Sequence, residues 1–316
     1  MELQTVGTPM LWAGFIAFVL AMLALDLGVF HRKAHVMGPR EALGWSLLWV
    51  GLALVFNVGV WWQFGAERGI EFLTGYFIEK SLSVDNIFVF IIIFSALGIP
   101  LLHQHRILFW GILTALVLRA AMIFAGAAML ARFHWLIYPF GGFLILTGIK
   151  LFVQRNKESH PEEGWAMRTV SRLIPSTKKL DGARFFTVVN GKRVATPLFM
   201  ALMLVEVTDV VFAVDSIPAI FAITTDPFIV FTSNIFAILG LRSLFFLFGD
   251  LVDKFRYLKV GLAAVLVFVG VKMTAIDLYK IPPLVSLGVV MLLLGASVVA
   301  SLVAARREAD AGPAPG

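Results

Sequence analysis

Runs of about twenty apolar residues, separated by short polar intervals, dominate this chain. A helix that crosses a bilayer needs about 20 predominantly apolar residues. Nine stretches meet that length: 10–30, 43–64, 72–97, 107–130, 135–153, 197–223, 228–250, 258–277 and 283–304. The pattern predicts an all-α polytopic membrane protein with nine transmembrane helices. The apolar pattern lapses between them only once at length. Segment 154–196 mixes charged residues with Pro161 and Pro175 and reads as a loop, partly ordered at most. The end of the chain, 305–316, reads as a cytoplasmic tail, its last residues 309–316 short and disordered.

Composition supports the same class. The 316 residues are 59% hydrophobic and 15% charged, with a mean hydropathy of +0.90. A soluble domain carries about 25% charged residues. No Lys or Arg precedes the first apolar run, so it does not read as a cleaved signal peptide. The net charge of +6 belongs to connecting loops rather than to a nucleic-acid surface. With the N-terminus outside, the cytoplasmic segments hold eighteen Lys and Arg, nine of them in 154–196. The outside segments then hold three: Arg68, Arg132 and Lys280. Basic residues favour the cytoplasmic side, so the expected orientation is N-terminus outside, C-terminus inside.

Two apolar stretches carry nearly the same acidic motif. Glu79 precedes Val84-Asp85-Asn86-Ile87, and Asp209 precedes Val214-Asp215-Ser216-Ile217, each acid six residues before the next. The likeness continues downstream. Arg119 is followed by Lys150 after 31 residues, and Arg242 by Lys272 after 30. Each copy contains three spans, an odd number, so the second copy must be inverted relative to the first. Segments 72–153 and 197–277 are therefore predicted as inverted three-helix repeats, with 10–64 and 283–304 supplying three extra helices. Secondary transporters built this way place their substrate near the midplane, between the repeats.

A charged side chain at the bilayer centre costs roughly 2.5–3.5 kcal/mol on insertion scales, so these acids point to function. Seven residues bring a helical side chain back to within about 20°. Glu79 thus shares a face with Asn86, and Asp209 with Ser216. Glu206, three residues before Asp209, joins that face. Asp85 and Asp215 lie about 120° away on a straight helix. Pro218 offers a remedy, because it removes its bond to the Val214 carbonyl and predicts unwinding or a kink beside Asp215. In the first copy any break would depend on Ser81, Ser83 and Asn86.

The candidate cation site is thus Glu79, Asp85, Asn86, Glu206, Asp209, Asp215 and Ser216, with Lys80, Arg119 and Arg242 pairing with or orienting the acids. Lys150 and Lys272, near span ends, are expected to snorkel to the interface. A second reading remains open. Five intramembrane acids (Glu79, Asp85, Glu206, Asp209 and Asp215) face five bases (Lys80, Arg119, Lys150, Arg242 and Lys272). These charges would then only join helices.

There is no cysteine, which excludes thiol redox chemistry and thiolate metal sites. The six histidines all fall in connections or at span edges, where solvated loop residues are expected. Carboxylates, an amide, a hydroxyl and backbone carbonyls form an oxygen-rich set that suits Mn²⁺, Mg²⁺ or Ca²⁺. No phosphate-binding loop and no nucleophile–base pair is present, so neither an enzyme nor a resident cofactor is expected.

The motifs Glu79-Lys-Ser-Leu-Ser-Val-Asp85-Asn86, Glu206-Val-Thr-Asp209 through Pro218, and Thr232-Ser-Asn234 through Arg242 closely resemble the TerC family, above all its Alx-like branch. The resemblance runs from Thr5 to the ninth span. It implies a nine-span inner-membrane protein grouped with LysE-type exporters, active in manganese export or homeostasis linked to alkaline pH. The family's association with tellurite fits the residues poorly, since clustered carboxylates repel an oxyanion. The expected function is export of a divalent cation, foremost Mn²⁺, in exchange for protons. Its partners would be that cation and the lipid bilayer, with no nucleic acid. The alternatives are a non-transporting structural or regulatory membrane protein and an exporter of amino acids or other organic solutes.

Overall fold

The computed structural model describes residues 5–28, 38–153, 169–170, 172, 174–189, 191–248, 257–279 and 281–310, without the side chains of Asp26, Leu27, Val84, Asp85, Phe88, His134, Asp215, Phe248 and 305–310. Ten α-helices occur among the described residues: α1 Pro9–Gly28, α2 Pro39–Phe64, α3 Ala66–Ala96, α4 Leu101–Arg132, α5 Ile137–Val153, α6 Pro197–Phe221, α7 Pro227–Leu239, α8 Leu241–Phe248, α9 Leu258–Thr274 and α10 Pro283–Asp310. Five segments are long and apolar enough to cross a membrane: Pro39–Phe64, Leu101–Arg132, Pro197–Phe221, Pro227–Leu247 and Pro283–Ala304. The apolar stretches Pro9–Leu25 and Ile137–Val153 are shorter. Of the other predicted spans, α3 carries six charged residues and α9 has only 17 residues.

Local chemistry starts these helices and separates them. Proline opens α2, α6 and α7, where its missing N–H costs nothing and its φ already suits a helix. Gly65 alone turns α2 into α3 with φ 91°, a value open to glycine at little cost. Asp226 caps α7 by accepting from the Phe228 backbone N–H at 2.9 Å. It also accepts from the Thr5 hydroxyl at 2.9 Å and the Val6 N–H at 2.8 Å. The N-terminal segment is thereby tied to the α6–α7 connection. Arg68, at the start of α3, bonds Glu71 at 2.7 Å and Thr224 at 3.3 Å at the same end of the bundle.

The long connection contains more order than its composition suggests. Strand β1 (Phe186–Val189) pairs antiparallel with β2 (Lys192–Ala195), Val189 opposite Lys192. The intervening Asn-Gly dipeptide is a strong hairpin signal that the loop's charge obscured. Arg106 of α4 donates to the Ala183 carbonyl and stacks on Phe185 at 4.8 Å, which fixes this hairpin under the entry to α4. Residues 154–168 lie outside the described residues.

Helix α7 is buried along its whole length and packs against α2, α3 and α4, while α6 packs against α3 and α4. A close backbone crossing joins α5 and α9. A Cβ at Gly141 would stand 2.8 Å from the Gly270 carbonyl oxygen, and one at Gly270 would stand 2.6 Å from the Gly141 oxygen. One turn-pair away, a Cβ at Gly148 would stand 2.7 Å from the Ala263 oxygen. Small residues let membrane helices approach this closely.

The predicted break at Pro218 does not occur as unwinding: α6 stays helical through it to Phe221. A proline this near the end of a helix forfeits one hydrogen bond, and the next carbonyl bond, Ala222 N–H to the Pro218 oxygen, forms at 3.0 Å. Helix α3 is unbroken as well, with the Ser81 hydroxyl turned back onto the Phe77 carbonyl at 2.7 Å. The interruption falls at Gly240, which divides the predicted 228–250 span into α7 and α8.

Candidate functional site

Arg119 projects from the middle of α4 into the bundle and is 1% exposed. Its Nη2 donates to Asp209 Oδ1 at 2.7 Å, and its Nε to Asp209 Oδ2 at 3.2 Å. Its Nη1 donates to Glu79 Oε1 and, at 3.4 Å, to Asn234 Oδ1. One guanidinium therefore joins α3, α6 and α7 to α4. The fork geometry explains why arginine fills this position: it meets both oxygens of one carboxylate and still has an N–H for another. Ionised, the group carries two negative charges against one positive charge. Burial of such charges is tolerated only when they are paired and hydrogen-bonded.

The pairing leaves oxygen atoms over. Among the described residues, Glu79 Oε2 is buried without a hydrogen-bond partner, and so are Asn86 Oδ1, Ser83 Oγ and Ser216 Oγ. Glu206 is the most exceptional of the predicted site residues. It is 8% exposed, and neither carboxylate oxygen has a hydrogen-bond partner among the described residues. Its Oε1 lies 3.6 Å from where a Cβ on Gly111 of α4 would stand, so the bare glycine leaves it room. A cavity of about 10 Å³ opens beside Asp209, lined by Gly111, Ala115, Val205 and Leu241 among others. That is about the space one water-sized sphere requires.

Of the predicted residues, then, the fold brings Glu79 and Asp209 together through Arg119 and places Glu206 one helical turn away. Asn86 and Ser216 are buried on α3 and α6. The side chains of Asp85 and Asp215 lie outside the described residues. Among the described residues, no three His, Asp or Glu side chains converge closely enough to hold a metal ion. Arg242 is buried at the start of α8. Lys80 makes no ion pair among the described residues. It donates to the Ala237 carbonyl at 3.1 Å, in the last turn of α7, where helix-end carbonyls need partners. Lys150 is exposed, in keeping with snorkelling, whereas Lys272 is buried.

Asn234 was not among the predicted site residues. It is fully buried, its carbonyl oxygen touches Arg119, and its Nδ2 has no hydrogen-bond partner among the described residues. Its signals in the sequence were an amide inside a predicted span and its place in the Thr232-Ser-Asn234 motif. Tyr76, one turn before Glu79, likewise buries an unpartnered hydroxyl.

Residues 64–309 match the model of the integral membrane protein TerC family. The chain is 72% identical over 311 residues to the uncharacterized membrane protein STKORF319 of Myxococcus xanthus, covering 97% of this chain and 98% of that one. It is 49% identical over 297 residues to the "Putative membrane-bound redox modulator Alx" of Salmonella typhi, with 91% and 92% covered. The protein of the same name from Escherichia coli K12 is 48% identical over 297 residues, with the same shares covered. No solved structure matches the chain.

Proposed function

The chain belongs to the TerC family of integral membrane proteins, and on that footing we propose that it carries a divalent cation, foremost Mn²⁺, out of the cytoplasm through the site around Glu206, Asp209 and Glu79. The observation that carries this reading is Glu206. A carboxylate buried among apolar helices with both oxygens unpartnered has a standing deficit that a proton or a metal ion removes. Asn86, Ser216, the free oxygen of Glu79 and, by position in α3 and α6, Asp85 and Asp215 would complete an oxygen donor set. Such a set selects hard divalent ions. Proton exchange follows naturally, because carboxylates bind cations only after losing their protons. No catalytic residue is assigned.

Alternating access between inverted repeats is part of the proposal, and the α5–α9 crossing supports it. Ala263 lies 122 residues after Gly141, and Gly270 lies 122 after Gly148. Gly141 meets Gly270 while Gly148 meets Ala263, the reciprocal contacts expected of a two-fold relation. The ties of Thr5 to Asp226 and of Arg68 to Thr224 at one end of the bundle, with Arg106 to Ala183 in the long connection, agree with nine spans and loops on the predicted sides. The N-terminus is taken as outside and the membrane as the inner one.

One observation favours a second reading, in which the charges only join helices: Arg119 engages both Glu79 and Asp209. The name of the Alx relatives suggests a link to redox balance. In this cysteine-free chain such a link would not be thiol exchange of its own. Purified protein in liposomes, with Mn²⁺ on one side and a Mn²⁺-quenched dye on the other, tests the reading. Saturable Mn²⁺ flux that Glu206→Gln removes is expected. Absence of flux from well-folded, correctly inserted protein would overturn it in favour of the structural role.

A further inference from the structure

We infer that Arg119 is a tethered stand-in for the transported cation, holding the Glu79–Asp209 position when the carrier is empty and exchanging places with the cargo by moving to Glu206. This rests on the cation-carrier reading above. Three hydrogen bonds to the two carboxylates and one to the Asn234 amide place the guanidinium where an ion bridging α3 and α6 would stand. A divalent ion and a guanidinium a few ångströms apart in a low-dielectric interior repel strongly, so the two cannot share those carboxylates.

The arrangement also answers a physical problem of any carrier with an acidic site. Once its cargo leaves, bare carboxylates remain in a medium where unpaired charge is costly. A cation fixed to the protein neutralises them and lets the empty carrier return. The displaced guanidinium needs a partner of its own, and Glu206 is placed to supply one. It lies three residues before Asp209 on α6, with both oxygens lacking a hydrogen-bond partner among the described residues, and it borders Gly111 of α4. Helical side chains lean toward the N-terminal end of their helix, and Gly111 lies in that direction from Arg119. The cargo would engage Glu206 first and then trade positions with the guanidinium. Every ion would remain paired at both ends of the exchange. Asn234, fully buried and with its Nδ2 unpartnered, marks the same spot with a polar group that packing alone does not require.

Mn²⁺ binding to the purified full-length chain, measured by calorimetry at fixed pH beside Mn²⁺ flux in liposomes, separates the roles. Arg119→Gln removes the competitor. It should bind Mn²⁺ at least about tenfold tighter, the change expected on losing one charge-assisted hydrogen bond of competition, while flux falls. In Arg119→Ala, added guanidinium ion should compete with Mn²⁺. Arg119→Lys keeps the positive charge that pairs the buried carboxylates but cannot fork to both of them. Its affinity should lie between those of wild type and Arg119→Gln, and this variant decides the matter if the other two do not fold. Folded variants that bind no tighter than a wild type that binds Mn²⁺ would overturn the tethered cation alone. A wild type and variants that all fail to bind Mn²⁺ would overturn the carrier reading itself.

Discussion

Arg119 and Asp209, 90 positions apart in the chain, meet through two hydrogen bonds of 2.7 and 3.2 Å inside the helix bundle. Glu206, one turn earlier on the same helix as Asp209, has no hydrogen-bond partner among the described residues. Two acids three residues apart are therefore held under opposite conditions, and substitutions at them should separate binding from stability.

Asp209→Asn strands part of a buried ion pair, a change that costs roughly 3–5 kcal/mol. Glu206→Gln replaces a buried carboxyl group that has no hydrogen-bond partner among the described residues, so stability should hold or rise. Both should reduce cation flux at least about tenfold, since the donors of the site are lost. Thermal unfolding in detergent, followed beside flux, checks the contrast. Equal destabilisation by both would show that Glu206 is as firmly paired as Asp209.

The α5–α9 crossing predicts a packing effect with no change of charge. A Cβ at Gly270 would come within 2.6 Å of a backbone oxygen, an atom that cannot swing aside. Gly270→Leu should destabilise the protein by roughly 1–3 kcal/mol, the usual cost of overpacking, and lower its melting temperature. Gly142, with open space where its Cβ would lie, should accept alanine without loss, which makes it the matched control.

Topology can be read without background, because the chain has no cysteine. Lys192→Cys in the hairpin and Thr225→Cys beside the α7 cap are both at exposed positions. A membrane-impermeant maleimide should label Lys192→Cys only in inside-out vesicles and Thr225→Cys only in right-side-out ones. Labelling of both from one side would break the odd-span inversion on which the repeat depends.

Ion choice should follow dehydration rather than softness. Mg²⁺ gives up water reluctantly and demands near-ideal octahedral geometry, whereas the carboxylates here lie on separate helices. Mn²⁺ is therefore expected to bind more tightly than Mg²⁺, with an affinity that rises with pH, because a carboxylate binds a cation only once it has lost its proton. Titration calorimetry at several pH values is the check. A pH-independent affinity would mean that the ligands are not these acids.

Hydropathy by itself determined the class of this protein, because burial in lipid imposes a composition that every residue of a span must obey. The acidic motifs at Glu79 and Asp209, with Arg119 among apolar residues, were equally legible, since charge in such runs is expensive. The hairpin at 186–195 was signalled only by Asn-Gly, and the surrounding charge hid it. Other features were not local. Pro218 looked like a point of unwinding, yet α6 stays helical through it, because a proline in the last turn costs one bond; the predicted 228–250 span is interrupted at Gly240. That Arg119 gathers Glu79, Asp209 and Asn234, from 40, 90 and 115 positions away, was decided by how four helices pack. Periodicity tells which face of a helix is covered, but the partner across that face is chosen by the packing of the whole bundle.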